Sequence, residues 1–363
     1  MRKSARTEHR RSMSAFMVRL AHHERGFLYA YLIAALIAQR QSSFLFLNTR
    51  LNTIFLFIMK KLTLYLFVVL MVAIIGGCSA NKLAVNAIAN ALSGDGGTVF
   101  AGDDDPELIG DALPFALKMY ESLLEQTPGN QKLLVATGKS FIMYGYAFVQ
   151  QPAEMLPEEQ MAQQRTEKQR AKKLFLRARE YLFSALIIAH PEFKTALKSG
   201  SIDSALAHMT PADTTALYWA GMAWMAAITI DKEDIGLMVT MSQAVACINR
   251  AAALNPTFGD GALDEFYLTY FGSLPASMGG SEEKARACFA RAIQRSHGAK
   301  AGPYVALATS VCVKTQNSAE FKELLNKALL IDVSQKDKNR LTNIITQRKA
   351  RWLLDHIDNY FVE

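Results

Sequence analysis

The chain is poor in the residues that do chemistry. Its 363 residues include four cysteines, seven histidines and three tryptophans. Cys78, Cys247, Cys288 and Cys312 form no CxxC pair and have no histidine at metal-ligand spacing, which excludes zinc-finger and thioredoxin-type readings. An odd number of cysteines follows Cys78, so a disulfide framework is excluded as well. Buried thiols packing as small apolar groups are expected, with a single bridge such as Cys247 to Cys288 left open. No HExxH or GxSxG motif is present, and His190, His208, His297 and His356 are scattered. Gly138-Lys139-Ser140 has the ending of a P-loop. The phosphate cradle, however, needs a glycine five positions before Gly138, where Leu133 stands. A calcium loop beginning at Asp103 fails at its twelfth position, Pro114. Glu158-Glu159 and Glu282-Glu283 lie in polar stretches and suit a solvated face. No metal, cofactor or catalytic residue is expected, and the chain does not read as an enzyme.

A dominant charge is also missing from most of the chain. The net charge of +7 comes from the N-terminus. Residues 1–58 carry nine basic and two acidic residues, Lys60 and Lys61 follow, and from Cys78 onward 29 basic residues face 31 acidic ones. Without a basic body, a nucleic-acid reading loses its support.

What is present begins with a leader. Met59-Lys60-Lys61 is a short positive segment, and Leu62 to Ile75 is an uncharged run that is apolar but for Thr63, the length of a signal-peptide core and short for a bilayer span. It ends in Ile75-Gly76-Gly77-Cys78, the order of a lipobox. Small residues before the cysteine admit the backbone to a lipoprotein signal peptidase, and the Cys78 thiol takes the lipid. We therefore expect residues 59–77 to be a lipoprotein signal peptide and Cys78 the lipidation site. Residues 1–58, Arg-rich with short broken apolar stretches, are expected to be a mis-called extension ahead of a true start at Met59. Residues 78–104, rich in glycine and small residues, read as a lipidated tether with a short helix over Lys82–Leu92. A helical repeat domain is expected over 105–363, and Asp105-Pro106-Glu107 supplies its first cap.

Helical periodicity runs from Pro106 to the end. A tetratricopeptide pattern asks for small residues where a first helix, A, crosses a second, B, and large residues between them. Leu134, Thr137, Gly138 and Phe141 fit an A helix, as do Leu217, Ala220, Gly221 and Trp224, and Tyr304, Leu307, Ala308 and Val311. Ala116, Tyr120, Leu123 and Pro128 fit a B helix, as do Ala244, Ile248, Ala251 and Pro256, and Ala285, Phe289 and Ala292, with Leu325 and Ala328 after the last A helix. Insertions interrupt the array at Gln150–Gln169, Glu192–Ala212, Asp231–Thr240 and Leu274–Glu282. Gln335–Phe361 reads as a long capping helix. The predicted fold is all-α: a tetratricopeptide-like helical repeat superhelix of about four degenerate helix pairs plus a C-terminal capping helix.

Aromatics concentrate on the A helices, which line the inner surface of such a superhelix. Tyr218 and Trp219 are adjacent and cannot face the same way on a helix, so at least one is expected to face the groove. Trp219, Tyr218, Tyr146, Tyr267 and Tyr270 are the candidate ligand or partner surface.

Two stretches go further. One is Asp104-Asp105-Pro106-Glu107-Leu108-Ile109, continuing through Asp111-Ala112-Leu113-Pro114-Phe115 to Glu121-Ser122-Leu123-Leu124 and Pro128. The other is Ser273-Leu274-Pro275-Ala276-Ser277-Met278-Gly279-Gly280, followed by Ala285 and Phe289. With the lipobox and the Tyr218-Trp219 helix, they resemble the TatT family, the tetratricopeptide-containing lipoprotein T components associated with TRAP transporters. The resemblance covers 78–361. It implies a periplasmic, lipid-anchored, all-helical protein that forms a homotrimer. Its partner would be a TRAP solute-binding protein, which collects a small hydrophobic or acidic ligand for an ion-driven permease. The N-terminal extension and the glycine at −2 of the lipobox depart from the family pattern. The competing readings are a helical-repeat scaffold lipoprotein in envelope assembly and an envelope hydrolase whose dyad forms only in three dimensions.

Overall fold

The computed structural model describes residues 59–67 and 98–362. The chain divides into two units, Met1–Cys78 and Ser79–Glu363. In the first, residues 59–67 are helical and cover the positive segment and the start of the apolar run. Cys78, the 1–58 extension and the 82–92 stretch lie outside the described residues.

The second unit is all helix, with no strand among the described residues. Its principal helices are α1 (Pro106–Gln126), α2 (Gln131–Tyr144), α3 (Met161–Ala189), α4 (Glu192–Ser199), α5 (Asp203–Ala207), α6 (Thr214–Ile230), α7 (Met241–Leu254), α8 (Ala262–Ser273), α9 (Glu282–Arg295), α10 (Gly302–Leu307), α11 (Ser318–Leu329) and α12 (Arg340–Asp355). Polar caps set several starts. Asp105 accepts from the Leu108 amide, Asn130 from Leu133, Ser281 from Lys284 and Asn317 from Glu320, each satisfying an amide the helix cannot pair.

Four A–B pairs follow one another: α2/α3, α6/α7, α8/α9 and α10/α11. Glycine decides how closely the first two cross. A Cβ on Gly138 would lie 3.0 Å from the Ala178 carbonyl and against Leu182; one on Gly221 would lie 2.8 Å from the Ala244 carbonyl and against Ile248. Gly138 thus serves packing, and the P-loop likeness has no structural counterpart. The same geometry assigns α3 as a B helix, with Ala178, Leu182 and Ala185 buried at the small–large–small spacing. The core divides accordingly. One cluster spans α2, α3, α6 and α7 around Phe175, Leu217 and Ile248, and another spans α9 to α12 around Phe321 and Leu325.

The insertions are shorter than their sequence suggests. After Tyr144 the chain stays helical, as a π-turn over Gly145–Gln150 and an α-turn over Gln151–Glu154, because apolar Val149 and Ala153 continue the buried stripe. The 192–212 stretch forms α4 and α5, which bury Phe193 and Leu206. The cap is likewise shorter than 335–361: α12 begins at Arg340, after an irregular 332–339 stretch. Cys247, Cys288 and Cys312 are buried free thiols, so the Cys247–Cys288 bridge does not form.

The last helix returns to the first. Arg340 pairs with Asp104 at 2.6 Å, Arg348 grips both carboxylate oxygens of Glu107, and Lys349 meets Glu154 at 2.9 Å. α12 also touches the turn Thr98–Ala101, which places residues 98–104, expected to be tether, against the body.

Candidate functional site: the A-helix wall

The A helices touch one another through polar and aromatic side chains. From α2, the Lys139 ammonium lies 5.8 Å from the centre of the Trp219 ring on α6, a cation–π contact. Trp219 is half-buried, edge-on to Tyr218. Tyr218 is 5% exposed, tilted against Phe258, and donates its hydroxyl to the Ala262 carbonyl at the start of α8. Burial, and then the nearby Glu265 charge, push its phenol far above the ordinary tyrosine range. Of the adjacent pair, Trp219 therefore keeps the accessible surface, while Tyr218 joins α6 to α8.

Glu265 on α8 is the next step. One of its oxygens is enclosed with no hydrogen bond, and Lys300 stands at 3.3 Å, close enough for attraction but not aligned to donate. Burial raises the carboxyl above the usual carboxylate range against the pull of Lys300. Gly302, at the start of α10, leaves the room: a Cβ there would lie 2.9 Å from Glu265 Oε2. From α10 the path continues to α12, where Asn343 accepts from the Ala301 amide and donates to the Ala299 carbonyl. On α12, Lys349 faces Glu154, Tyr146 and Tyr360. Burial alone would depress its ammonium; Tyr146 and Glu154 outweigh that and hold it above the ordinary lysine value, so it is a fixed cation. Tyr146, on the π-turn that continues α2, is 44% exposed.

The five aromatic candidates thus fall in three places. Tyr218 and Trp219 sit together on α6. Tyr267 and Tyr270 sit on α8 in a cluster with Phe266 and Phe271. Tyr146 stands beside Lys349. Tyr267 turns back toward the preceding repeat, donating to Asn249 of α7 at 2.7 Å, and burial pushes its phenol up to about 12. Lys139, Glu265, Lys349 and Glu154 were missed in the sequence. They follow no aromatic pattern, and Lys349 meets Glu154 only because the array closes on itself.

The groups nearest to reactive chemistry are engaged by partners in the fold. His190 Nε2 lies 2.9 Å from Asp213, but that carboxylate also accepts from the Thr210 amide and hydroxyl, fastening the 190–213 insertion to the start of α6. Burial pushes the Cys247 thiol up to about 12, and the Cys312 thiol to the same value with help from Glu320. Neither is a thiolate at neutral pH.

Sequence comparison agrees with this architecture. The family model of the TRAP transporter T-component matches residues 102–361. An uncharacterised protein of Treponema pallidum (strain Nichols) is 33% identical over 303 residues, covering 79% of this chain and 94% of that protein.

Proposed function

From the premise that the chain belongs to the TRAP transporter T-component family, we propose that it is a non-enzymatic accessory subunit that holds a solute-binding protein at the bacterial envelope. Family membership supports an accessory role in a TRAP system. Lipidation at Cys78 places the body on the periplasmic side of a membrane, and the assembled form is a homo-oligomer, a trimer as the resemblance implies. The A-helix wall takes a small ligand that is apolar at one end and acidic at the other. One observation carries the ligand reading: exposed Tyr146, on the extension of α2, stands beside the Lys349 cation of α12, and Trp219 keeps accessible surface where α6 meets Lys139 of the same α2. Aromatic faces bind an apolar body, and the half-buried Lys349 ammonium, now shared with Glu154, favours a carboxylate.

Two measurements test this. Residues 79–363 should co-elute with the solute-binding protein encoded beside the TRAP permease, and native mass spectrometry should report the stoichiometry. Laurate, as the probe, should quench tryptophan emission in the wild type. Trp219→Phe should lose most of that signal, and Lys349→Met should weaken binding by about tenfold, a charge-assisted hydrogen bond being worth roughly 1.5–3 kcal/mol. Absence of any complex removes the partner claim, and laurate binding that ignores Lys349 removes the acid-end claim.

A further inference from the structure

One face of the molecule is out of keeping with its charge. From Cys78 onward the chain is slightly acidic, yet α3 carries Arg165, Lys168, Arg170, Lys172, Lys173, Arg177 and Arg179 against Glu167 and Glu180. Arg165, Thr166, Gln169, Arg170 and Lys173 line an open hollow of about 440 Å³ on its N-terminal half. Lys172 is spent on Asp231 and Asp234, both at 2.7 Å, Arg177 on Glu121, and Arg170 partly on Glu167. No acid lies in ion-pair range of Arg165, Lys168 or Lys173 among the described residues, and Lys168 meets only the Gln164 amide oxygen.

A second observation sits on the same edge. The Lys172 pairs, with Gln169 donating to Asp231, hold the 231–240 segment against α3. Asp234 caps the short turn Ile235–Met238, accepting from the Leu237 amide. That turn buries Leu237 but presents Ile235 and Val239 outward at 75% and 71% exposure. Two bare aliphatic side chains on the segment that Gln169 and Lys172 hold, with three unneutralised cations on the same helix, make a surface that suits a bilayer interface, where the aliphatics enter the headgroup layer and the cations meet lipid phosphates.

We infer that the N-terminal half of α3, with Ile235 and Val239, is a second membrane contact that seats the body on anionic phospholipid. This rests on the reading of Cys78 as the lipid anchor. A lipid on Cys78 would keep Thr98 within about 70 Å of the headgroups, the fully extended length of the chain between them.

The test uses residues 79–363, one compact unit by itself, and vesicles of phosphatidylcholine with or without phosphatidylglycerol. Sedimentation should show binding to the anionic vesicles alone, weakening steeply with salt. The triple variant R165E/K168E/K173E should bind at least about tenfold more weakly, and I235S/V239S severalfold more weakly. K198E/K322E, reversing two exposed lysines elsewhere, should bind as the wild type does. Circular-dichroism melts within a few degrees of wild type show that each variant is folded. Equal binding to both vesicle types, no binding at all, or an equal loss in the control overturns the proposal, and capture of an acidic protein without vesicle binding reassigns the face. The protein tested carries no lipid. Failure of the anchor reading is therefore seen separately, as the missing diacylglycerol mass on Cys78 of the native protein.

Discussion

The two halves of the repeat array solve the same packing problem with different residues. In the first, α2 meets α3 and α6 meets α7 on glycine, with carbonyls of the B helix where a Cβ would stand. In the second, Ala285, Ala292, Ala308 and Ala328 take the buried small positions, and Gly272 instead clears Ser310 on the neighbouring A helix. The first half is thus keyed by the closeness of its helix crossings. The second is held by large buried groups, above all Phe321 with Tyr360 and Phe361 packed against it. A helical repeat tolerates either solution because each helix answers only to its neighbours.

The sharpest way to break this contrast is to empty each core in turn. Phe175→Ala and Phe321→Ala remove fully buried rings, and each should cost about 3–5 kcal/mol. If the halves unfold together, both variants show one lowered melting transition. If they are separate cooperative units, calorimetry will show two transitions with only one displaced.

Filling the crossings comes next. Gly221→Ala forces a methyl against the Ala244 backbone, which cannot yield as a side-chain tip does. The overpacking, about 1–3 kcal/mol, should outweigh the ~1 kcal/mol that alanine gains over glycine in a helix. Urea denaturation should report a net loss, larger than for Gly138→Ala, where the Leu182 side chain and the Ala178 carbonyl stand at 2.6 and 3.0 Å against 2.4 and 2.8 Å for Ile248 and Ala244 at Gly221. In the alanine-keyed half the reverse exchange, Ala308→Gly, should cost about 1 kcal/mol of helix propensity together with the loss of one fully buried methyl.

A smaller effect concerns the bridge between the halves. Burial keeps the Glu265 carboxyl above its ordinary value of 4.5, so the folded chain holds that proton more tightly than the unfolded one. The wild type therefore loses stability as pH rises from about 4.5 through the folded value, and Glu265→Gln removes the loss. Thermal melts should place the variant about 2–4 °C above wild type at pH 7 and level with it near pH 4. An equal gain at both values would mean that packing, not ionisation, is responsible.

How much of this was legible beforehand depended on the kind of signal. Gly221 with Ala244 and Ile248 was readable because the crossing demands small residues at fixed intervals. The pairing of α2 with α3 was not, since a helical extension through Glu154 and an irregular link put Ala178 out of phase with Gly138. Trp219 and Tyr146 stood out as aromatics, but nothing in their spacing told which ring would be covered. Tyr218 disappears beneath Phe258 because α7 ends in a loop that folds back over α6.

The sequence by itself determined that the chain would be helical, repeated and free of catalytic motifs, because periodicity, caps and small residues at crossings are local properties with direct physical causes. Only the tertiary structure decided that α12 would come back to Glu107 and Glu154, that Lys349 would stand beside Tyr146, and that Ile235 would be left bare on a segment paired to Lys172. Those meetings depend on the summed angles of successive helix pairs. Each small rotation is set by side-chain volumes at one crossing, and no stretch of sequence records their total.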